Sequence, residues 1–328
     1  TNKAELKSTA AWMVSEGVQV INMSLGWSWD GPGDGTSPNT ESPLNTVDSA
    51  VTGGVIWVNA AGNNAASNWY GDYSDSDSDG TLEFVSGSEY QYVYLSAGTK
   101  ITVQLRWDDT WDSADSDLDL YLYEWDSCCG YTLFELSIDE QSGEPGQNPY
   151  ESITFTAPWA DYYYLFVKHS SGSAPEWFQL LVWGKDLSIP VGEHSITNPG
   201  DSSNPGMLTV GATNWATPST IESFSSRGPT TDGRIKPDIV GADRGDSVSY
   251  GVNGFSGTSQ ASPHVAGLAA LVLQRYPEYT PGQVASYLKN NALGMGIVPN
   301  NTWGYGLAQM PLFEPTAPID VTATSGAG

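Results

Sequence analysis

Basic residues are scarce in this 328-residue sequence, where 12 Lys and Arg stand against 38 Asp and Glu. The resulting formal net charge of -26 repels nucleic-acid phosphates and anionic membranes, and so argues against both as partners. Such a surface suits a soluble protein that is secreted to the extracellular space. The acidic residues are either a solvated surface or ligands for structural Ca²⁺, because hard cations prefer oxygen ligands; we expect no organic cofactor.

Long hydrophobic runs are missing as well. No stretch reaches the roughly 18 apolar residues that a membrane-spanning helix needs. The sequence shows no secretory signal pattern and no initiator Met, so we expect Thr1 to be an internal cut rather than a natural beginning. The last residues, 315–328, have the composition of a linker or tail.

Cysteine is limited to one adjacent pair, Cys128 and Cys129. Neighbouring cysteines rarely bond to each other, because the small ring strains the peptide between them. A vicinal disulfide, two free thiols and bonds to another chain all remain open, and two ligands alone do not make a zinc site.

The residue pattern changes character twice along the chain. Residues 1–67 alternate helix and buried strand, which predicts a parallel sheet with helices on both faces. Residues 68–188 instead alternate apolar and polar side chains in short runs separated by turn residues, which is typical of a β-sandwich. Residues 189–314 return to the α/β pattern. We therefore expect an α/β domain interrupted by an all-β insert.

Individual elements follow from the same patterns. In the α/β parts we expect helices at 4–16, 43–52, after Ser259 and at 281–291, and strands at 18–23, 55–59 and 207–211. In the insert we expect strands at 90–95, 101–105, 118–123, 152–156, 162–168 and 178–183.

The most informative motif is the run Gly257–Gly267, which reads GTSQASPHVAG. It places Ser259 at a glycine-flanked junction between a loop and a helix, where free backbone N–H groups and the helix dipole can stabilise an oxyanion. An ordinary N-cap role for Ser259 is the alternative. The run resembles the nucleophile motif of subtilisin-like serine proteases, and the resemblance covers about residues 5–65 and 190–310.

That resemblance implies roles for further residues. Asn63, in the run Ala60–Asn63, would give the side-chain donor of the oxyanion hole, beside the backbone N–H of Ser259. The segment from Ser24 to Gly26 would pair with the extended backbone of a peptide substrate. The remaining substrate-binding positions are Leu25 within that segment, the pocket wall Ala60, Ala61 and Gly62, and Thr197 near the pocket floor.

The family also needs a catalytic aspartate and histidine upstream of the first matched helix, and neither motif occurs here. Of the three histidines, His264 belongs to the serine motif, while His169 and His194 lie in and after the insert. A serine without a base is a poor nucleophile near neutral pH. We therefore expect a companion N-terminal segment, separate or missing, to carry the aspartate and histidine, so that this chain alone is incomplete and inactive.

Two hypotheses about a different class of function remain open. The chain could be a non-catalytic binding or assembly module that uses an aromatic β-sandwich for adhesion, or a pseudoprotease that binds peptides without cleaving them. The insert contains Asp117–Leu122, which resembles the signature of pre-peptidase C-terminal-like domains, small β-sandwiches often attached to secreted proteases.

The segment Asp75–Gly80 begins like a calcium-binding loop, with Asp75, Asp77 and Asp79 at alternate positions. The chelating Glu expected at the twelfth position is replaced by Ser86, and the competing interpretation is a flexible acidic linker.

Overall fold

The computed structural model describes residues 2–311, so the linker expected at 315–328 lies outside the described residues. In chain order the elements are α1 (Lys3–Ser15), β1 (Val20–Met23), α2 (Pro43–Thr52), β2 (Ile56–Ala60), β3 (Asn68–Asp72), β4 (Gln91–Leu95), β5 (Lys100–Trp107), β6 (Asp117–Asp126), β7 (Gly130–Ser137), β8 (Tyr150–Thr156), β9 (Asp161–Ser171), β10 (Trp177–Trp183), β11 (Met207–Asn214), β12 (Ile239–Asp243), β13 (Gly245–Ser247), β14 (Gly251–Phe255), α3 (Thr258–Arg275) and α4 (Pro281–Asn290).

A four-stranded parallel sheet in the order β1-β2-β11-β12 organises the α/β part. Every residue of β2 is buried, as expected for a strand covered on both faces. On one face α3 and α4 pack through Val265, Val272 and Leu288, and on the other α1 and α2 pack through Ala10 and Val47. Within the described residues, no helix has the length and apolar composition that crossing a bilayer demands.

The helices begin where the sequence provides capping groups. Asn2 and Glu5 form a capping box at the start of α1, and Thr280 and Gln283 form another at α4. Helix α3 has no side-chain cap, because Gly257 precedes it. Its first N–H groups are therefore left for the site described below.

Between β2 and β11 lie two four-stranded antiparallel sheets, ordered β3-β10-β5-β8 and β4-β9-β6-β7. Alternate residues of β4 are buried, as the period of a half-buried strand requires. The buried side chains of both sheets form one hydrophobic cluster, which includes Trp107, Leu120, Tyr163 and Phe178.

Arg106 joins these sheets to the α/β part. From β5 its guanidinium donates to Gln179 Oε1 at 2.7 and 2.9 Å and to the Gly31 carbonyl at 3.2 Å. The same group lies 4.3 Å from the centre of the Trp29 ring, a cation–π contact. Burial lowers the pKa of Arg106 to about 10, so the side chain remains charged at neutral pH. The sheets are thus tied to the loop that precedes α2.

Every expected element occurs; α2 has the expected bounds, and the other ends are displaced by at most three residues. Strand β1 begins at Val20 rather than at residue 18, and β11 continues to Asn214. The sequence analysis missed β3, β7, β12, β13 and β14. Strand β7 escaped because none of its residues is buried, so it shows no alternation of burial. Cys128 and Cys129, in the turn between β6 and β7, are bonded to each other.

Candidate active site

Ser259 is the second residue of α3, at the end of the helix that faces the carboxyl ends of the parallel strands. Gly257 precedes the helix with a φ of 127°, a conformation that side chains disfavour. The half-buried Ser259 donates from Oγ to the Ser24 carbonyl at 3.3 Å, and Ser24 Oγ donates to the Ser259 carbonyl at 2.9 Å. The two segments that the sequence marked as nucleophile and substrate strand therefore meet.

Asn63 is held in a defined orientation against the start of α3. Its Oδ1 accepts from both the backbone N–H and the hydroxyl of Thr258, each at 2.9 Å. The carboxamide Nδ2 is thereby left as a donor at the surface. Ser259 lies too near the helix start for its N–H to have a partner four residues earlier. Two donors are thus available beside Ser259, as an oxyanion hole requires.

Gly257 permits this arrangement by its size as well as its conformation. A Cβ atom at this position would lie 2.9 Å from Asn63 Nδ2. The loop is also held from beneath, since the buried Asp243 carboxylate accepts the Gly257 N–H at 3.0 Å and the Ser256 hydroxyl at 3.2 Å. Burial raises the pKa of Asp243. Sequence reasoning missed this positioning residue, because its role depends on a contact across 14 residues.

A cavity of about 510 Å³ opens beside Ser259. Its lining includes the sequence-predicted positions Ser24, Leu25, Gly26, Ala60, Gly62, Asn63, Thr197 and Ser259. Ala61 is not among the lining residues: it is fully buried, and its N–H donates to the Val210 carbonyl. Successive side chains of an extended backbone point in opposite directions, so Ala61 points away from the side on which Ala60 and Gly62 lie.

Thr197 lies against the two glycines of the cavity wall. A Cβ at Gly26 would come within 2.7 Å of Thr197 Oγ1, and a Cβ at Gly62 within 3.2 Å of the same atom. Larger residues at either glycine would therefore displace the threonine and fill the cavity. The close approach explains why these two positions carry no side chain.

Sequence reasoning missed six lining residues, namely Asn64, Ser67, Trp183, Gly184, Asp186 and Thr258. Trp183 is the last residue of β10, and Gly184 and Asp186 follow it, so these three come from the end of the inserted sheets. No motif marked them, because only the return of the insert to the α/β part brings them to Ser259.

All three histidines lie in the described range, and none contacts Ser259 Oγ. His264 Nδ1 is 2.7 Å from the Ala242 carbonyl, and His169 Nδ1 is 3.1 Å from the Tyr73 hydroxyl. His194 stacks on the Tyr70 ring at 3.7 Å, and burial, reinforced by Arg106, lowers its pKa to about 4. Residues 2–311 therefore place no imidazole where it could act as a base toward Ser259.

The carboxylates of Asp75, Asp77 and Asp79 converge, with one oxygen from each within 4.8 Å of the others. Asp75 Oδ2 accepts the Gly80 N–H at 3.2 Å, while its Oδ1 is buried without a hydrogen-bond partner. Oxygen donors of this kind fit a hard cation such as Ca²⁺. Exposed Asp77 and Asp79 complete the group.

Comparison with known proteins matches most of the chain to one family. The model of the subtilase family matches residues 1–104 and 182–306, and the unmatched residues between them fall within the inserted sheets. The serine protease AprX of Bacillus subtilis (strain 168) is 37% identical over 134 residues, which are 34% of this chain and 30% of AprX. M-protease of Shouchella clausii (strain KSM-K16) is 30% identical over 181 residues, 46% of this chain and 47% of M-protease.

The matched region thus spans less than half of the length of either relative. Among solved structures, the CspB protease of Clostridium perfringens superposes with a TM-score of 0.67 at 17% identity, covering 94% of this chain and 70% of that chain. At 17% identity, the similarity to this structure shows that the two chains share a fold.

Proposed function

Because this chain belongs to the subtilase family, we propose that it is the part of a secreted serine endopeptidase that carries the nucleophile and the oxyanion hole. The observation that carries the proposal is the contact of Asn63 with Thr258, which places a free carboxamide donor beside Ser259. The adjoining cavity has room for a substrate side chain.

In the reaction, Ser259 Oγ attacks the carbonyl carbon of the scissile peptide bond. Asn63 Nδ2 and the Ser259 N–H stabilise the negative charge that develops on the carbonyl oxygen. The C–N bond then breaks, the amine leaves with a proton, and water hydrolyses the acyl-enzyme. The segment Ser24–Gly26 binds the substrate backbone by strand addition.

We propose that the histidine base and its aspartate partner come from a companion segment outside this chain. Two features of the described residues support this. Strand β1 is an edge of the parallel sheet, and an edge strand has unpaired N–H and C=O groups with which a further strand can pair. Helix α3 also exposes a stripe of small and apolar residues at helical spacing, Pro263, Gly267, Ala270 and Leu271. A further strand beside β1 with its connecting helix would cover both.

The test is labelling of natively purified protein with a fluorophosphonate probe, with the adduct mapped by mass spectrometry. An adduct on Ser259, absent from Ser259→Ala, is expected. Mass spectrometry of the same sample, native and denaturing, should show additional residues beyond this chain, either bound as a second polypeptide or joined to it. A folded sample that forms no adduct contradicts the catalytic proposal, and an adduct on a protein of these 328 residues alone contradicts the companion segment.

We further propose structural Ca²⁺ binding by Asp75, Asp77 and Asp79. The buried, unpartnered Asp75 Oδ1 supports it, since an isolated buried oxygen is otherwise costly. Terbium, a luminescent substitute for Ca²⁺, should bind the wild type and be displaced by Ca²⁺. Asp77→Asn should weaken this binding at least tenfold, while Asp72→Asn leaves it unchanged. Equal binding by both variants would refute the site.

A second candidate function is adhesion through the inserted sheets, whose relation to pre-peptidase C-terminal-like domains remains a proposal. The β4-β9-β6-β7 sheet has exposed aromatic rings that contact one another. They include Tyr92, Tyr94, Trp125, Tyr131 and Tyr162. An exposed aromatic patch is a common docking surface. Co-sedimentation with insoluble polysaccharides, compared with Tyr94→Ala, tests a carbohydrate partner. If Tyr94→Ala co-sediments with the polysaccharide as well as the wild type does, this surface is not the binding site.

A further inference from the structure

The chain segment that leaves the inserted sheets forms one wall of the cavity beside Ser259. Trp183 is the last residue of β10, and Gly184 and Asp186 follow it; all three line the cavity. The other lining residues come from the α/β part or from the turn that leads into the insert. The insert therefore contributes side chains to the space that a substrate would occupy.

Asp186 is the one charged residue among those lining the cavity. Its side chain is exposed, and it makes none of the ion pairs found within residues 2–311. An unpaired carboxylate at the wall of a partly enclosed cavity attracts a cation more strongly than one on an open surface, because the low-dielectric walls concentrate its field. The formal net charge of the whole sequence, -26, has the same sign.

The wall is held in place before any ligand binds. The Val182 N–H donates to the Ser67 carbonyl and the Leu187 N–H to the Ala66 carbonyl, each at 2.9 Å, so both ends of the segment are fixed. The Trp183 indole N–H donates to Gln104 Oε1 at 2.9 Å. A Cβ at Gly26 would lie 3.7 Å from the Trp183 ring, so the indole borders the cavity directly. A preformed wall loses little entropy on binding.

We propose that this cavity selects a cationic side chain, lysine or arginine, in the peptide substrate. Asp186 neutralises the positive charge, and the indole of Trp183 packs along the aliphatic stem. The small residues Ala60 and Gly62 leave room for such a long side chain. The selection rests on the proposed function, because it names the substrate of the same site.

Binding of p-aminobenzamidine, a cationic aromatic amidine, tests this without any chemistry at Ser259. Its fluorescence should report saturable binding to the wild type and to Ser259→Ala. Asp186→Asn should weaken binding about fivefold, the upper value expected for a solvent-accessible ion pair. The matched control Asp72→Asn removes an exposed carboxylate that does not line the cavity, and should change nothing. Unaltered affinity in Asp186→Asn, or equally tight binding of neutral p-aminobenzamide, would overturn the inference.

A second experiment separates this inference from the proposed function. Two peptidyl phosphonates, one with a lysine-like and one with a leucine-like side chain, are compared in their rates of labelling Ser259 in natively purified protein that retains the companion segment. The lysine-like probe should react faster, and Asp186→Asn should abolish the preference. Labelling by neither probe refutes the catalytic proposal, while the amidine titration still decides the charge preference. Equal labelling by both probes refutes the preference and retains the catalytic function.

Discussion

Replacing the buried Glu151 with glutamine should stabilise the protein at alkaline pH and leave its stability nearly unchanged in acid. Glu151 lies on β8 of the inserted sheets and is 1% exposed. Its carboxylate accepts hydrogen bonds from the Asp139 N–H at 2.9 Å and from the side chains of Gln141 and Ser137. These donors do not offset the loss of hydration, and burial raises the pKa of Glu151 from 4.5 to about 7.

The sign follows from proton binding. The folded state binds this proton more tightly than the unfolded state, so stability falls as the pH rises from about 4.5 to about 7, and the cost is complete above that range. A difference of roughly 2.5 pKa units corresponds to about 3 kcal/mol, as an order of magnitude. Glutamine resembles the protonated acid and removes this cost. Below pH 4.5 the wild type already carries the proton, so the gain should vanish.

The assay is urea unfolding followed by tryptophan fluorescence at pH 4.5 and pH 8, chosen to bracket the cited pKa range. The matched control is Glu135→Gln, which removes an exposed carboxylate on β7. The quantity compared is the difference in the free energy of unfolding between variant and wild type at each pH. Other acidic groups titrate equally in both proteins, so their contributions cancel. An equal difference at both pH values, or a variant that is less stable at pH 8, would refute the reasoning.

Three further outcomes are expected. Asn63→Ala should slow fluorophosphonate labelling of Ser259 by about 10² to 10³, with unchanged circular dichroism, because one oxyanion donor is lost; a reduction below about threefold would contradict its role. Thr258→Val should slow labelling less, about tenfold, since it removes the hydroxyl that orients Asn63 and accepts the Gly62 N–H, but leaves the backbone donor to Asn63; Thr258→Ser, which keeps the hydroxyl, should react like the wild type, and equal rates for the two variants would refute the positioning role. Leu120→Ala, in the fully buried core of the inserted sheets, should lower the free energy of unfolding by about 2–5 kcal/mol in chemical denaturation; a smaller loss would mean that the core collapses around the cavity.

Local sequence was sufficient to predict the position of Ser259 in the first turn of a helix. A loop, the start of a helix and a free N–H group all occur within a few positions around Gly257 and Ser259. Their arrangement therefore depends little on contacts with distant residues. Asn63 was predictable for the same reason, since it follows a buried strand in a motif. The resemblance to subtilisin-like proteases is confirmed by the family match.

Strands with one buried face were also predictable, because apolar and polar residues then alternate along the sequence. The prediction failed for β7, whose residues are all at least partly exposed, and for the two-stranded β13–β14 hairpin, most of which is exposed. It also included Ala61 in the cavity wall, although the backbone turns this residue into the core.

The sequence by itself determined the family, the position of Ser259 at the start of a helix, and the succession of α/β and all-β segments, because each depends on short motifs or on local periodicity. Only the tertiary structure decided what surrounds Ser259. Asp243 beneath the serine loop, Trp183 and Asp186 in the cavity wall, and Arg106 between the two parts all act across long separations in the chain. Such contacts depend on how the sheets pack against each other, and no local pattern records that packing.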